Sequence, residues 1–278
     1  MEYIRLANGV EMPAIGYGSY HLWPWKTRKP LRFALEAGFR LIDTANIYLN
    51  ERDIRSVLKK AGIPRKEIFL VSKIWPTYYE DEDCVERTLK RLGADYLDCL
   101  LLHHPSGNHL AGYEKLERAY RKGLVRSIGL SNFFGRKIEE ILEHASIKPQ
   151  VIQMEGHPYC TQEEVRKRLE PYKTVMMCYY PLGKGGDLFK EPLLQDIAEA
   201  HRKSVPQVIL RWHIQMGFIP IPGSDDPEHL KSNIDVFDFS LTEEEMARIS
   251  TLDGRKRFYN PTEKIEEKYV HQIPLLWK

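Results

Sequence analysis

Short aliphatic or β-branched runs alternate with longer stretches whose apolar residues recur at helical spacing, and the rhythm repeats along the chain. The short runs predict strands at Ala14–Gly18, Arg40–Asp43, Ile68–Lys73, Cys99–His103, Arg126–Leu130, Val151–Glu155, Thr174–Tyr179 and Phe218–Ile221. Between them lie amphipathic segments such as Glu82–Leu92, where Val85, Leu89 and Leu92 fall at helical spacing. Eight strands, each followed by a helical segment and with no long polar linker, predict an α/β chain. The expected architecture is one parallel (β/α)8 TIM barrel spanning residues 1–278. Ahead of the barrel, Ile4–Leu6, Asn8-Gly9 and Val10–Met12 read as an N-terminal β-hairpin, Asn-Gly supplying the positive φ of a tight turn. That hairpin is expected to close the bottom, N-terminal mouth of the barrel. Two segments break the rhythm. His21–Lys29 carries Trp23 and Trp25 on a loop after the first strand, where aromatic side chains are expected to line a substrate pocket. Arg255–Lys278, rich in Tyr, Trp and Pro, fits an ordered surface segment and a pocket wall equally well.

Charge and composition narrow the partners. With 41 basic and 39 acidic residues the net charge is +2, which gives no reason to expect nucleic acid or another polyanion. The opening MEYIRLANGVEM has neither a basic n-region nor an apolar core, so no signal peptide is expected. No apolar run is long enough to span a membrane. Cys84, Cys99, Cys160 and Cys178 form no CxxC pair and read as reduced thiols of a cytoplasmic protein, expected as a monomer or weak oligomer. No HxH pair or second carboxylate–histidine cluster ends a strand, so no metal is expected.

In a parallel barrel the catalytic groups project from the C-terminal ends of the strands. Asp43, Tyr48, Lys73 and His103 sit there or just beyond. Singly they are ordinary: Asp43 could cap a helix and Tyr48 could simply pack. Lys73 is harder to dismiss, because a lysine ending an apolar strand needs a carboxylate or water. Strand alternation selects His103 over its neighbour His104 to face the barrel, in phase with Leu101 and Cys99. Together the four suit proton transfer coupled to a redox step. A phenol with a pKa of about 10 is a poor acid at neutral pH. An ammonium, Lys73, held by Asp43, is expected to lower that pKa. Tyr48 would then give its proton to a carbonyl oxygen as a hydride reaches the carbon, with His103 hydrogen-bonded to the same oxygen.

These residues lie in blocks that closely resemble the aldo-keto reductase family, in particular its bacterial-type diketogluconate and aldehyde reductases. The blocks are Asn8–Tyr20, Gly38–Tyr48, Val71–Trp75, Leu101–Pro105, Ile128–Phe133, Gln153–Tyr159, Tyr179–Gly183 and Ile219–Ser224, in one order along the whole chain. The resemblance implies a barrel reductase that converts aldehydes and ketones to alcohols with NAD(P)H, using the tetrad Asp43, Tyr48, Lys73 and His103 with Tyr48 as general acid. The alternative is a cofactor-binding regulatory subunit without significant turnover. Tyr20, Trp75 and His104 align with substrate-facing positions, and Trp23 adjoins them. The family usually has Trp where His104 stands, so this wall of the pocket becomes more polar. Small polar carbonyls such as keto acids, keto sugars or short aldehydes are the expected substrates.

Gly16-Tyr17-Gly18 lacks the third glycine of a dinucleotide fingerprint, so a Rossmann domain is not expected. Ser131, Asn132 and Gln153 carry short polar groups able to bond a carboxamide, and the resemblance aligns them with the residues that hold the nicotinamide amide. It aligns Tyr179 with the ring that stacks on nicotinamide, and Leu182, Gly183 and Lys184 with the loop meeting the pyrophosphate. Gly183–Phe189 is expected to form a small strap over the cofactor. Ser224 and Asn233 align with adenosine contacts. Family members preferring a phosphorylated ribose carry basic residues where this chain has Gly223 and His229, and Asp225 and Asp226 lie between. Carboxylates repel a 2′-phosphate but accept hydrogen bonds from free ribose hydroxyls. The cofactor expectation is therefore NAD(P)H leaning to NADH, with Gly223→Lys plus His229→Arg expected to improve NADPH binding.

Overall fold

All eight apolar runs become strands, and they pair in chain order, every pair parallel. The computed structural model describes residues 1–20, 26–260 and 262–272, so Trp23 and Trp25 lie outside the described residues. The hairpin strands are β1 (Tyr3–Arg5) and β2 (Glu11–Pro13). The barrel strands are β3 (Gly16–Gly18), β4 (Leu41–Asp43), β5 (Phe69–Ile74), β6 (Cys99–Leu102), β7 (Ile128–Ser131), β8 (Val151–Glu155), β9 (Val175–Tyr179) and β10 (Ile219–Pro220). Strands covered on both faces read as near-continuous apolar runs, which is why they were legible.

Among the described residues, six α-helices occupy the crossovers from β3 to β9: α1 (Arg28–Ala37), α2 (Glu51–Ala61), α3 (Cys84–Leu92), α4 (His109–Arg121), α5 (Gly135–His144) and α6 (Glu163–Leu169). The one-helix-per-strand expectation then fails. Two helices, α7 (Pro192–His201) and α8 (Val205–Gln215), separate β9 from β10, and α9 (Pro227–Ile234), α10 (Glu243–Ser250) and α11 (Glu263–Tyr269) follow. Local chemistry marks the extra break. Ser204 and Gln207 form a reciprocal capping box that starts α8 three residues after α7 stops at His201.

The barrel interior alternates along each strand. Leu41, Phe69, Val71, Cys99, Leu101, Val151 and Met177 face inward, and Leu6 and Met12 of the hairpin complete this cluster at the strand starts. The hairpin thus closes the N-terminal mouth, as expected. Its turn differs. Only Gly9 takes positive φ (85°), and Leu6 and Val10 bond across a three-residue loop, Ala7–Gly9. Asn8 is drawn away from a two-residue turn because its amide donates to Arg126 O at 2.9 Å, fastening the hairpin to the segment entering β7.

The seam between first and last strands rests on two glycines. Gly18 N donates to Pro222 O at 3.1 Å. A Cβ on Gly18 would lie 2.7 Å from Ile221 O, and one on Gly223 2.7 Å from Gly18 O. Backbone cannot retreat as a side chain can, so these positions admit no larger residue without parting the seam. Gly18→Ala is expected to lower the free energy of unfolding by about 1–3 kcal/mol, the usual range of overpacking. Urea denaturation checks this; an unchanged midpoint would mean that the seam opens freely.

Candidate active site

Asp43, the last residue of β4, and Lys73, the last but one of β5, meet inside the barrel mouth. Lys73 Nζ donates to both carboxylate oxygens of Asp43 and to Thr44 O, each at 2.8 Å. Gln153 Nε2, from β8, adds a 2.8 Å bond to Asp43 Oδ1. Both charges are buried, Lys73 completely and Asp43 to 2% exposure. Burial pushes the Asp43 carboxyl pKa up and the Lys73 ammonium pKa down, while each partner opposes the change in the other. Three donated bonds require an ammonium, so the pair is charged.

Tyr48 stands on the loop leaving β4, in a short 3₁₀ turn (Asn46–Tyr48) that ends at Leu49 in left-handed conformation, φ 60°. Three polar groups not singled out from the sequence fix this loop. Asn50 Nδ2 donates to Ser19 Oγ at 3.1 Å, Thr44 Oγ1 donates to Asn50 Oδ1 at 2.7 Å, and Asn46 Oδ1 accepts from Trp75 N at 3.1 Å. The only sequence signal was position: Asn46 and Asn50 flank Tyr48, and buried amides so close to a candidate phenol belong to its support. Lys73 Nζ lies 5.1 Å from the centre of the Tyr48 ring, Tyr20 packs on the ring at 5.1 Å, and His103 meets it edge-on at 5.8 Å. The expected fall in the Tyr48 pKa is not found. Burial pushes it well above its usual value, and the Asp43 carboxylate, Tyr20 and Tyr180 add to the rise. Lys73 spends its three donors on Asp43 and Thr44, so the phenol faces an ion pair rather than a lone cation. Its proton stays on.

His103 and His104 do not alternate as strand neighbours would. β6 ends at Leu102, and beyond it the two imidazoles stack 4.8 Å apart at 13°. Both therefore reach the mouth. Burial lowers the His103 pKa well below its usual value, with His104 and Lys73 contributing, so the ring is neutral, and its buried Nδ1 has no hydrogen-bond partner among the described residues. His104 is pushed down to about 3 by burial and by Lys73. It is only 5% exposed: Trp75 and Tyr269 pack on it at 5.0 and 4.4 Å, and Tyr259 OH lies 3.3 Å from its Nδ1. The polar wall expected at His104 is thus shared with the C-terminal segment. Trp75 Nε1 and Thr77 Oγ1 donate to Tyr269 O, at 2.9 and 3.2 Å, holding the end of α11 against the loop after β5.

On the other side of the mouth, Ser131 and Asn132 at the end of β7 cluster with Gln153 in the middle of β8. Asn132 is held at φ 63°; its Nδ2 donates to His103 O and Ser131 Oγ, both at 3.1 Å, and its Oδ1 accepts from Tyr179 OH at 2.7 Å. Downstream, Gly183, Lys184, Gly185 and Gly186 all have positive φ, a run of curled backbone with a single side chain that can cradle an anion. Lys184 Nζ rests over the Tyr180 ring at 4.4 Å. Leu182 is half-buried, packed against the core that surrounds the barrel.

The turn after β10 gathers Gly223, Ser224, Asp225 and His229 at the start of α9. Ser224 Oγ accepts from Asp226 N at 3.1 Å, and Asp226 caps α9 through a 2.8 Å bond from Glu228 N. His229 Nε2 lies 3.9 Å from Asp226 on the surface, Lys231 pairs with Glu228 at 2.8 Å, and Asn233 is buried. A Cβ on Gly223 would lie 2.7 Å from Gly18 O, so Gly223→Lys requires the seam to shift.

The model of the aldo/keto reductase family matches residues 14–253. Glyoxal reductase of Bacillus subtilis (strain 168) is 40% identical over 259 residues, covering 91% of this chain and 94% of that protein. Aldo-keto reductase family 1 member A1 of Rattus norvegicus is 33% identical over 305 residues, covering 96% and 94%. Among solved structures, an aldo-keto reductase of Bombyx mori in complex with NADP superposes with a TM-score of 0.84 at 31% identity, covering 92% of this chain and 94% of that one.

Removing the ammonium isolates a buried carboxylate. Lys73→Met is expected to destabilise the protein by about 3–5 kcal/mol at neutral pH, with Asp43→Asn added to it restoring part of the loss. Folding already raises the Asp43 pKa, and the variant raises it further. The folded variant then binds more protons than the unfolded chain, so its deficit grows as pH rises above about 4 and is smallest in acid. Urea titrations at acid and neutral pH check the trend; a deficit independent of pH would refute it.

Proposed function

The chain belongs to the aldo/keto reductase family, NAD(P)H-dependent oxidoreductases acting on carbonyl groups, and from that premise we propose that it reduces small polar aldehydes and ketones with Tyr48 as proton donor. The observation that carries this reading is the buried Lys73–Asp43 pair beneath the Tyr48 ring, with a neutral His103 alongside. Tyr48 holds its proton at neutral pH, as a general acid must. His103, uncharged, orients the carbonyl oxygen by a hydrogen bond without competing to protonate it. The Asp43–Lys73 pair fixes the floor on which the phenol rests and supplies a cation to balance negative charge passing from the substrate oxygen to Tyr48.

The residues fit a nicotinamide dinucleotide. Ser131, Asn132 and Gln153 offer a donor and acceptor set matched to a carboxamide, Tyr179 a flat ring beside them, and the glycine-rich turn at 183–186 an open cradle for phosphates. When bound, that cofactor supplies the hydride. Tyr20, Trp75 and His104 form the substrate wall, and the neutral imidazole of His104 suits a polar carbonyl compound better than an indole would.

We further propose that NADH is used well. The turn at the ribose end carries Asp225 and Asp226, His229 Nε2 lies 3.9 Å from Asp226, and Lys231 is engaged by Glu228. A 2′-phosphate calls for Lys or Arg donors. The Bombyx mori relative holds NADP, so the ratio of kcat/KM with the two cofactors is the deciding measurement, and a strong preference for NADPH would refute this part. His229→Arg alone, leaving Gly223 intact, is expected to improve NADPH affinity about fivefold or more, through one charge-assisted hydrogen bond.

Tyr48→Phe removes only the hydroxyl. Reduction of a carbonyl panel is expected to fall by at least ~100-fold, with cofactor binding retained. Turnover near that of the unmodified protein would overturn the assignment. Cofactor binding with no turnover in the unmodified protein would favour the regulatory-subunit alternative.

A further inference from the structure

Glu155 is the third inward position of β8, after Val151 in the barrel plug and Gln153 at Asp43. It is 1% exposed. Neither of its oxygens is given to the tetrad. Oε1 accepts from Phe258 N at 2.7 Å and Oε2 from Tyr259 N at 2.6 Å, two consecutive amides of the segment between α10 and α11. His157 Nε2, wholly buried, sits 2.8 Å from Oε1. Burial alone would raise the Glu155 pKa, but these three bonds outweigh it and hold the carboxyl below its usual range. A buried carboxylate with its donors in place is a strong fastener.

The two residues it fastens point to different halves of the site. Phe258 lies on the cofactor side: its ring is 5.6 Å from Lys184 Nζ and would touch a Cβ placed on Gly183. Tyr259 reaches the substrate side through its hydroxyl, 3.3 Å from His104 Nδ1 and 3.2 Å from Tyr269 OH, while its ring meets Tyr179 edge-on at 6.3 Å. Tyr259 OH can donate to Nδ1 while accepting from Tyr269, which leaves the His104 proton on Nε2.

We propose that Glu155 is a positioning residue: by holding the amides of Phe258 and Tyr259 it sets the cofactor strap, through Phe258 and Lys184, and the polar substrate wall, through Tyr259 and His104, as one unit. The proposal rests on the reading of this mouth as a carbonyl reductase site, and its substrate side takes the same class, small polar carbonyl compounds that a neutral imidazole N–H can bond. One fastener serving both halves predicts that loosening it weakens cofactor and substrate together, whereas loosening either branch weakens only one.

Glu155→Gln keeps the shape but turns an NH₂ group toward a backbone N–H. Four readouts are compared with the unmodified protein: the cofactor dissociation constant from quenching of tryptophan fluorescence, KM and kcat with a small polar carbonyl, and the rate of tryptic cleavage between Arg255 and Lys268. The dissociation constant and KM are expected to rise about tenfold each, the worth of one charge-assisted hydrogen bond, with a smaller change in kcat and faster cleavage. Constants within twofold of the unmodified protein, or a loss confined to kcat, would overturn the proposal. Phe258→Ala and Tyr259→Phe, on the partly exposed segment, separate the branches and carry the test if Glu155→Gln does not fold. The first is expected to raise the cofactor constant and spare KM, and the second to raise KM and spare cofactor binding. Equal effects on both constants from either variant would refute the division. Should the unmodified protein reduce no carbonyl, the proposed function fails, while cofactor titration and proteolysis still decide whether Glu155 fastens the segment.

Discussion

The contact on which the mouth of this barrel depends is the ion pair of Lys73 and Asp43. It ties β4 to β5, and Gln153 brings in β8 from across the barrel. Desolvating two charges is costly, and replacing such a pair by apolar residues is often neutral or stabilising. Stability alone therefore does not account for this pair. Every other feature of the catalytic side is arranged around it: Thr44 O takes the third proton of the ammonium, Tyr48 lies over it, and His103 closes the flank.

The pair also explains why the phenol keeps its proton. A free ammonium would favour phenolate, but Lys73 is matched by a carboxylate at hydrogen-bond distance, and what remains is burial plus the Asp43 charge. For the proposed carbonyl reduction the donor arrives protonated, while the raised pKa makes the phenol a weaker acid. The same burial keeps His103 and His104 neutral, so this corner of the mouth presents hydrogen-bonding groups rather than charges.

The mouth is assembled from loops that meet nowhere in sequence. The loop after β5 holds the end of α11 through Trp75 and Thr77, and the end of β8 holds the stretch before α11 through Glu155. The C-terminal segment is thus a wall of the pocket as well as a surface element, and His104 acquires its environment from residues more than 150 positions away. Barrels separate labour in this way: strand cores supply rigidity, and loops at their C-terminal ends supply chemistry.

The sequence by itself determined the strands, because parallel strands sheathed by helices must be apolar throughout, and it determined which acid, phenol, amine and imidazole lie at or just beyond their ends. It also placed the plug, since Leu6 and Met12 alternate into the interior on either side of a turn centred on Gly9. Tertiary structure alone decided the rest. Strand alternation could not show that β6 stops at Leu102 and lets both histidines turn to one side. No local rule reveals that Gly223 is pressed against Gly18 O, or that Glu155 takes amides a hundred residues downstream. Nor could spacing give the direction of the Tyr48 pKa, which depends on where the donors of Lys73 are spent. Periodicity reports which face of an element is buried; hydrogen-bond partners, close backbone approaches and electrostatic balance are set by distances between segments far apart in the chain.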